Sequence, residues 1–179
     1  MARHVALLRG INVGGKRSVP MPALKKLFEK AGCTDVDTYI QSGNVVFGAP
    51  VASLAKLAEV LPKQMEKAFG FPMPVVLRSA GDLAKVVSAN PFLRPGVAPE
   101  SLHVAFLRDV PTNAAVATLD PARSPGDSFA VVKGDVFLHL PNGVAKTKLS
   151  NAWFDSKLGT VSTVRNWRTV LTLVEMSRV

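Results

Sequence analysis

The hexapeptide His4-Val5-Ala6-Leu7-Leu8-Arg9 returns 99 residues later as His103-Val104-Ala105-Phe106-Leu107-Arg108. Each copy is a short apolar run of the kind that forms a buried β-strand. Self-similarity of this kind indicates an internal repeat, so the segments after the two copies are compared element by element. The repeat divides the chain into two related units.

The same order of predicted elements follows each copy of the hexapeptide. In the first unit, the hydrophobic pattern predicts helices at 21–31, 52–69 and 81–89 and strands at 36–41, 44–47 and 74–77. In the second unit, it predicts helices at 113–119, 151–158 and 166–176 and strands at 128–133, 135–140 and 160–164. The order is βαββαβα twice, and βαββαβ is typical of a ferredoxin-like plait. The predicted fold class is therefore α+β, with two tandem ferredoxin-like (α-β plait, βαββαβ) units, each with an extra C-terminal helix.

The boundary between the units is predicted near residue 95. Residues 90–99 contain three prolines and one glycine, a composition typical of a linker. Residues 1–95 then form the first α-β plait unit and residues 96–179 the second, packed as one compact chain.

In a plait we expect the first and third strands to run parallel at the centre of the sheet. That arrangement puts the loop at 10–17 and the Ser42-Gly43 turn at opposite ends of the first unit. The same logic puts Arg165-Asn166 at the hairpin-turn end of the second unit.

Composition and charge exclude several classes of protein. Hydrophobic residues make up 47% of the chain and charged residues 20%, which excludes long disorder, coiled coils and collagen-like structure. With 22 Lys and Arg against 13 Asp and Glu, the net charge is +9, a positive potential that attracts phosphate-bearing partners. Residues 3–30 hold seven basic side chains and one acidic side chain, which indicates either a nucleic-acid footprint or a solvated face.

The predicted location is cytoplasmic, with no membrane partner. No apolar run approaches the roughly 18 residues that span a bilayer, and the amino terminus lacks the apolar core of a signal peptide. Cys33 is the single cysteine, which suits a reducing compartment. The sequence shows no paired His/Cys spacing, so we expect no metal and no cofactor, and the oligomeric state is left open.

A glycine-rich loop, Gly10-Ile11-Asn12-Val13-Gly14-Gly15-Lys16-Arg17, follows the first strand and matches G-x-x-x-x-G-K, the opening of a phosphate-cradling loop. Arg17 stands where that motif needs a Mg²⁺-binding Ser or Thr, which disfavours nucleotide hydrolysis. A weaker prediction is an electropositive loop that binds an anion through Arg9, Asn12, Gly14, Gly15, Lys16 and Arg17. The alternative is a crossover shaped only by turn geometry.

Further polar residues surround the predicted hairpin turn. Gln41, Ser42 and Asn44 either shape the turn or present donors and acceptors to a ligand. Near the chain end, Arg165 and Asn166 complete the candidate ligand-binding residues, and either Asn166 or Thr163 is available as the N-cap of the last helix. We find no general acid/base pair, so the catalytic residues are unknown.

Three separated motifs together resemble one known family. They are residues 7–16 (LLRGINVGGK), 39–47 (YIQSGNVVF) and 163–170 (TVRNWRTV). Over nearly its whole length the chain is similar to the bacterial proteins of domain-of-unknown-function family 1697 (DUF1697). The resemblance implies a tandem pair of α-β plaits and no established activity. The family motif near the end reads Thr-Thr-Arg-Asn-Trp, whereas Val164 replaces the second threonine here, which weakens any role for a hydroxyl at that position.

Three functional hypotheses follow. The first is a non-enzymatic anion-binding module that uses the glycine-rich basic loop to hold nucleic acid or a phosphorylated small molecule. The alternative is a small-molecule transferase or hydrolase with a polar site between the two units, formed by Gln41, Ser42, Asn44, Arg165 and Asn166. The third is an assembly protein without a ligand, for which a large exposed apolar patch would speak.

Overall fold

The computed structural model describes residues 1–178, which divide into two compact units. Residues 1–84 and 173–178 belong to the first unit, and residues 85–172 belong to the second. The predicted boundary at residue 95 lies inside the second of these segments, and the division into residues 1–95 and 96–179 stays a prediction.

The order βαββαβα occurs twice along the chain. The first series is β1 (Ala2–Leu8), α1 (Met21–Lys30), β2 (Thr34–Tyr39), β3 (Asn44–Ala49), α2 (Leu54–Phe69), β4 (Val75–Ser79) and α3 (Ala80–Ala89). The second series is β5 (Leu102–Leu107), α4 (Asn113–Ala117), β6 (Ser128–Val132), β7 (Asp135–His139), α5 (Asn151–Leu158), β8 (Ser162–Asn166) and α6 (Trp167–Met176). Short 3₁₀ turns precede α2 at Val51–Ser53 and β5 at Pro99–Ser101.

The strands form two four-stranded antiparallel sheets. The strand order is β2-β3-β1-β4 in the first sheet and β6-β7-β5-β8 in the second. The repeated hexapeptides therefore form the equivalent strands β1 and β5, each with a neighbour on both sides. The protein is a mixed α/β molecule with six helices among the described residues.

The first and third strands run antiparallel, which corrects the expectation that they run parallel. Because α1 returns the chain, β2 has the same direction as β1, and the tight turn after β2 then reverses the chain. The end of β1 consequently meets the start of β3, where Leu7 pairs with Asn44. The prediction that the loop at 10–17 and the Ser42-Gly43 turn lie at opposite ends is wrong for this reason.

The prediction that Arg165 and Asn166 lie at the hairpin-turn end of the second unit is wrong for a similar reason. β5 and β8 pair antiparallel, with His103 opposite Asn166 at the start of β5. β7 leaves the hairpin turn at 133–134 and ends beside the start of β5. Arg165 and Asn166 thus lie at the end of the second sheet that is away from the hairpin turn.

Each sheet has its own hydrophobic core. In the first unit, Phe28 of α1 packs on Phe47 of β3 with ring centroids 5.4 Å apart, and Leu61 and Met65 of α2 complete the fully buried centre. In the second unit, Phe154 of α5 is fully buried in a cluster with residues of β5 and β7. In the first unit, the buried apolar residues of α1 and α2 recur at helical spacing and form the core with the strands: Leu24, Leu27, Phe28, Leu57, Leu61 and Met65.

The central strands are buried on both faces. All residues of β1 from His4 to Leu8, and all of β5, are buried. Continuous burial of this kind explains why the four residues between the histidine and the arginine of each hexapeptide are all apolar, without an alternating pattern.

Candidate functional site

The candidate site lies at one edge of the first sheet, where β1 and β2 end and β3 and β4 begin. Three connecting segments meet there: residues 9–20, 40–43 and 70–74. We call these three segments the loop edge. The antiparallel register brings the glycine-rich loop and the hairpin turn to the same place.

The glycine-rich loop folds into a small hairpin of its own. The Asn12 amide donates to the Arg17 carbonyl at 3.0 Å, and the Lys16 amide donates to the Val13 carbonyl at 3.0 Å. Gly14 and Gly15 form the two-residue turn with φ of 57° and 72°, the left-handed values that such turns require. A Cβ at either glycine would meet nothing within 4 Å, so the tip of the hairpin is open to solvent.

Asn12 fixes this hairpin to the rest of the loop edge. Its Nδ2 donates to the Gln41 carbonyl at 2.8 Å and to the Val19 carbonyl at 3.1 Å, while its Oδ1 accepts from the Val19 amide at 2.8 Å. Its φ is 51°, a conformation that Asn tolerates better than most residues. Asn12 therefore positions the loop, and its side-chain amide is occupied in doing so.

The hairpin turn fits tightly against β1. The Gly43 carbonyl accepts from the Leu8 amide at 2.8 Å, and a Cβ at Gly43 would lie 2.7 Å from the Cβ of Leu8. The buried Asn44 donates from Nδ2 to the Tyr39 carbonyl at 3.1 Å and to Ser42 Oγ at 2.9 Å. Gln41 lies in the turn rather than at the end of the predicted strand, because β2 stops at Tyr39.

Three cations belong to the loop edge: Arg9, Lys16 and Arg17. Lys16 and Arg17 are exposed and Arg9 is half-buried. The Arg17 guanidinium lies 5.7 Å from the centre of the Phe71 ring, a cation–π contact that holds the side chain over the loop. No Asp or Glu occurs in residues 9–20, 40–43 or 70–74, so the sequence of these segments supplies no carboxylate that would neutralise the cations.

The contact between Arg17 and Phe71 is one that sequence reasoning missed. A separation of 54 residues gives no local pattern, and Phe71 stands in a segment that reads only as a turn after α2. A Cβ at Gly10 would lie 3.2 Å from Arg17 Nη1, so the side chain passes close to the loop backbone. Gly10, with φ of 73°, leaves room for that passage.

The remaining candidates, Arg165 and Asn166, belong to the second unit. Arg165 is buried; its Nη1 donates to Thr163 Oγ1 at 2.8 Å and to the Val164 carbonyl at 2.9 Å. Burial lowers the pKa of Arg165 to about 10, so the guanidinium stays charged at neutral pH. Asn166 Oδ1 accepts from the Thr169 amide at 2.8 Å and caps α6, as the sequence predicts.

The structure therefore brings Arg9, Asn12, Gly14, Gly15, Lys16 and Arg17 together with Gln41, Ser42 and Asn44 at one edge. Within that set, Asn12 and Asn44 hold the backbone, while Lys16 and Arg17 face solvent. The enzyme alternative that joins this set to Arg165 and Asn166 stays a prediction. The strands beside the loop pair antiparallel, whereas phosphate-binding loops of nucleotide-hydrolysing proteins follow a strand of a parallel sheet.

Residues 1–178 show neither a metal-binding cluster nor a membrane-spanning helix. Within that range, His, Cys, Asp and Glu side chains form no group of three that could hold a metal ion. None of the helices described there has the length and apolar character needed to cross a membrane.

The comparisons with known proteins give a family and a fold. The family described as "Protein of unknown function (DUF1697)" matches residues 1–137. Among solved structures, the chain is similar to the conserved bacterial protein SP0830 from Streptococcus pneumoniae, with a TM-score of 0.74 and 24% identity over 99% of each chain. At that identity the likeness concerns the fold alone. No curated protein matches the chain.

Proposed function

This chain belongs to DUF1697, a family of unknown function, and from its own geometry we propose that it is a non-enzymatic anion-binding module that holds phosphate groups at the loop edge. One observation carries the proposal: the three segments that meet there contain Arg9, Lys16 and Arg17 and no carboxylate. Cations on neighbouring loops whose own sequence contains no acidic residue favour a local positive potential that attracts anions.

The chemistry of the loop suits phosphate. An arginine guanidinium presents several N–H groups in a plane and binds phosphate oxygens in pairs, while a lysine adds a point charge. The Gly14-Gly15 tip offers backbone amides with no side chain in the way of an approaching ligand. Asn12 holds this tip in place before any ligand arrives, which lowers the cost of ordering the loop on binding.

The shape of the site favours a nucleic-acid backbone over an enclosed metabolite. Small molecules usually bind in concave pockets, whereas this hairpin projects, with Val13 at its tip 66% exposed. A projecting basic tip fits a run of phosphates that passes over the surface. We therefore name nucleic acid as the first ligand to test and a phosphorylated small molecule as the second.

We also propose that each four-stranded sheet with its helices is a ferredoxin-like plait. Support comes from the element order βαββαβ and from the central position of the first and third strands in each sheet. The segment between α3 and the 3₁₀ turn at Pro99–Ser101 supports a boundary near residue 95.

We also propose a cytoplasmic location for the protein. Burial raises the pKa of the Cys33 thiol to about 11, which suits an inert thiol in a reducing compartment.

Fluorescence anisotropy with labelled single- and double-stranded DNA and RNA tests the binding proposal. If three phosphates are neutralised together, the affinity should fall roughly 20- to 40-fold between about 50 and 200 mM salt. The double variant Lys16→Glu/Arg17→Glu should weaken binding by at least about tenfold and flatten the salt dependence, because two of the three cations are reversed.

The matched control is Lys30→Glu/Lys56→Glu, which changes the net charge equally at the other end of the same unit. Lys30 ends α1 and Lys56 lies in the first turn of α2, both beside the edge where β2 begins and β3 ends. Equal losses of oligonucleotide affinity in both double variants would mean that net charge alone causes the effect. That result would refute the assignment of binding to the loop edge. If oligonucleotides bind no tighter than about 10⁻⁴ M and inorganic triphosphate causes no thermal shift, the proposal is wrong.

A further inference from the structure

A cleft of about 410 Å³ opens in the second unit beside the start of α6. Its walls are partly apolar, formed by Pro99, Trp167 and Leu171. Leu171 is 43% exposed, although the rest of the apolar side of α6 is buried. A volume of this size lies in the range of small-molecule sites, and the cleft is separate from the loop edge.

Two opposite charges stand at the mouth of this cleft. Arg168 Nη2 lies 3.5 Å from Glu100 Oε1, and the two side chains are 79% and 71% exposed. An exposed pair of this kind contributes little to stability, so a ligand separates its members at small cost. The mouth therefore offers one cation and one anion side by side, charges complementary to the carboxylate and the ammonium group of a zwitterion.

His103 brings a third polar group to the cleft. The side chain is over nine-tenths buried, and within residues 1–178 its hydrogen bond is to the Ser101 carbonyl, 3.4 Å from Nδ1. Burial lowers the pKa of this imidazole, against a smaller opposing effect of the Ser101 carbonyl, so the ring is neutral at neutral pH. With its proton on Nδ1, the ring keeps a lone pair on Nε2 that accepts a hydrogen bond.

The start of α6 differs in charge from the start of α3, its counterpart in the first series. α3 carries Asp82 in its first turn, and that carboxylate accepts from Ser79 Oγ at 2.7 Å. α6 has no acidic residue in its first turn and carries Arg168 there. Because a helix N-terminus is electropositive, α6 favours a negative group where α3 already provides one.

We propose that this cleft binds a small zwitterion, an α-amino acid with an apolar side chain. Its carboxylate pairs with Arg168 at the start of α6. Its ammonium group donates to Glu100 and to Nε2 of His103. Its apolar side chain lies against Pro99 and Leu171. The proposal is independent of phosphate binding at the loop edge.

An NMR titration of the ¹⁵N-labelled full chain with L-phenylalanine and with L-leucine tests the proposal. The two tryptophans make the readout internal: Trp167 lines the cleft, whereas Trp153 packs on Phe129 and Phe154 elsewhere in the unit. We expect saturable shifts of the Trp167 indole and Arg168 amide signals and little change at Trp153. 3-Phenylpropionate lacks the ammonium group and L-phenylalaninamide lacks the carboxylate, so each should bind at least about tenfold more weakly.

Exposed-residue variants complete the test. Arg168→Gln and Glu100→Gln should each weaken L-phenylalanine binding at least about tenfold, because each removes one of the two charges. Arg178→Gln is the matched control, since it breaks another exposed arginine–glutamate pair, with Glu175 at 2.9 Å. The proposal is overturned if neither amino acid gives saturable shifts by about 20 mM, if 3-phenylpropionate binds as well as L-phenylalanine, or if Arg168→Gln keeps the wild-type affinity.

Discussion

The two units make the same backbone contact after their first strands and differ in what surrounds it. The Arg9 amide donates to the Pro74 carbonyl at 3.0 Å, and the Arg108 amide donates to the Val161 carbonyl at 2.8 Å. Both arginines are the last residue of the repeated hexapeptide, and both carbonyls directly precede the strand that pairs with it. The same backbone hydrogen bond therefore positions an arginine after the first strand of both units.

The residues next to the arginine differ in charge between the two units. In the second unit, Arg108 Nε lies 3.0 Å from Asp109 Oδ2, and Thr160 Oγ1 donates to the same oxygen at 2.8 Å. In the first unit, Gly10 and Met73 occupy the positions of Asp109 and Thr160 in the strand register. The loop-edge segments of the first unit contain no acidic residue, whereas in the second unit Asp109 directly follows the arginine and contacts it. The comparison indicates that the same position in the fold carries different charges in the two units, so the proposed anion site depends on the residues of the first unit's loop and not on the fold.

The largest expected effect tests how tightly each hairpin turn is packed. Gly43→Ala should lower the free energy of unfolding by about 3 kcal/mol, because φ of +84° is strained and the new Cβ would clash with Leu8 at 2.7 Å. Gly134→Ala, at the equivalent turn, should cost about 1 kcal/mol, since its φ of +90° is strained but the nearest atom belongs to Val110, which is 79% exposed and gives way.

Urea denaturation of both variants measures the difference. Similar losses in the two variants would mean that φ strain alone decides the cost and that the first turn is no tighter than the second.

A smaller effect tests the side chain that only the first unit uses to hold its loop. Asn12→Ala should cost about 2 kcal/mol, because it removes three hydrogen bonds and leaves the Val19 amide without its acceptor. The loop of the second unit contains no asparagine between Arg108 and α4, and its first helical residue, the exposed Asn113, is the control. Asn113→Ala should change the unfolding free energy by less than about 0.5 kcal/mol.

The same Asn12 variant bears on binding. If the hairpin is held in place by Asn12, oligonucleotide affinity should also fall in Asn12→Ala, although no charge is lost. Wild-type affinity in a variant that is clearly destabilised would show that the loop does not need to be preorganised.

Much of this architecture could be predicted from local patterns. The repeated hexapeptide indicated the two equivalent strands, and the polar side chain before the last helix indicated the cap that Asn166 forms. Such features depend on residues close together in sequence, where periodicity and capping rules apply. The helix and strand bounds shifted by a few residues, as at β2, where Ile40 adopts a φ of 48° and ends the strand early.

The candidate site could be predicted only in part, because its contacts join distant segments. The Asn12–Gln41 bond spans 29 residues, and the Arg17–Phe71 contact spans 54. Neither has a local pattern. The direction of β3 relative to β1 decides whether the loop at 10–17 and the Ser42-Gly43 turn meet. The sequence pattern predicted parallel strands and therefore placed these two segments at opposite ends, whereas the antiparallel strands bring them to the same edge.

The smallest expected effect tests whether the acid pair of the second unit matters to folding. The hydroxyl of Thr160 and then the Arg108 guanidinium hold the pKa of Asp109 below its usual value. A carboxyl group with a lowered pKa in the folded state stabilises the protein above its unfolded pKa, about 3.9, and loses that contribution as the pH falls through the folded pKa. Because the Asp109 side chain is 63% exposed, solvent screens the pair, and Asp109→Asn should cost under about 0.5 kcal/mol at pH 7.

The difference between wild type and Asp109→Asn in urea denaturation should therefore shrink from pH 7 toward pH 3. Thr160→Val should remove most of the same pH dependence, because the Thr160 hydroxyl is the largest cause of the lowered pKa. A difference that is equally large at both pH values would assign the effect of Asp109 to uncharged hydrogen bonding. The charge of Asp109 would then add no stability through its contact with Arg108. The two units would differ only in the three cations of the first unit.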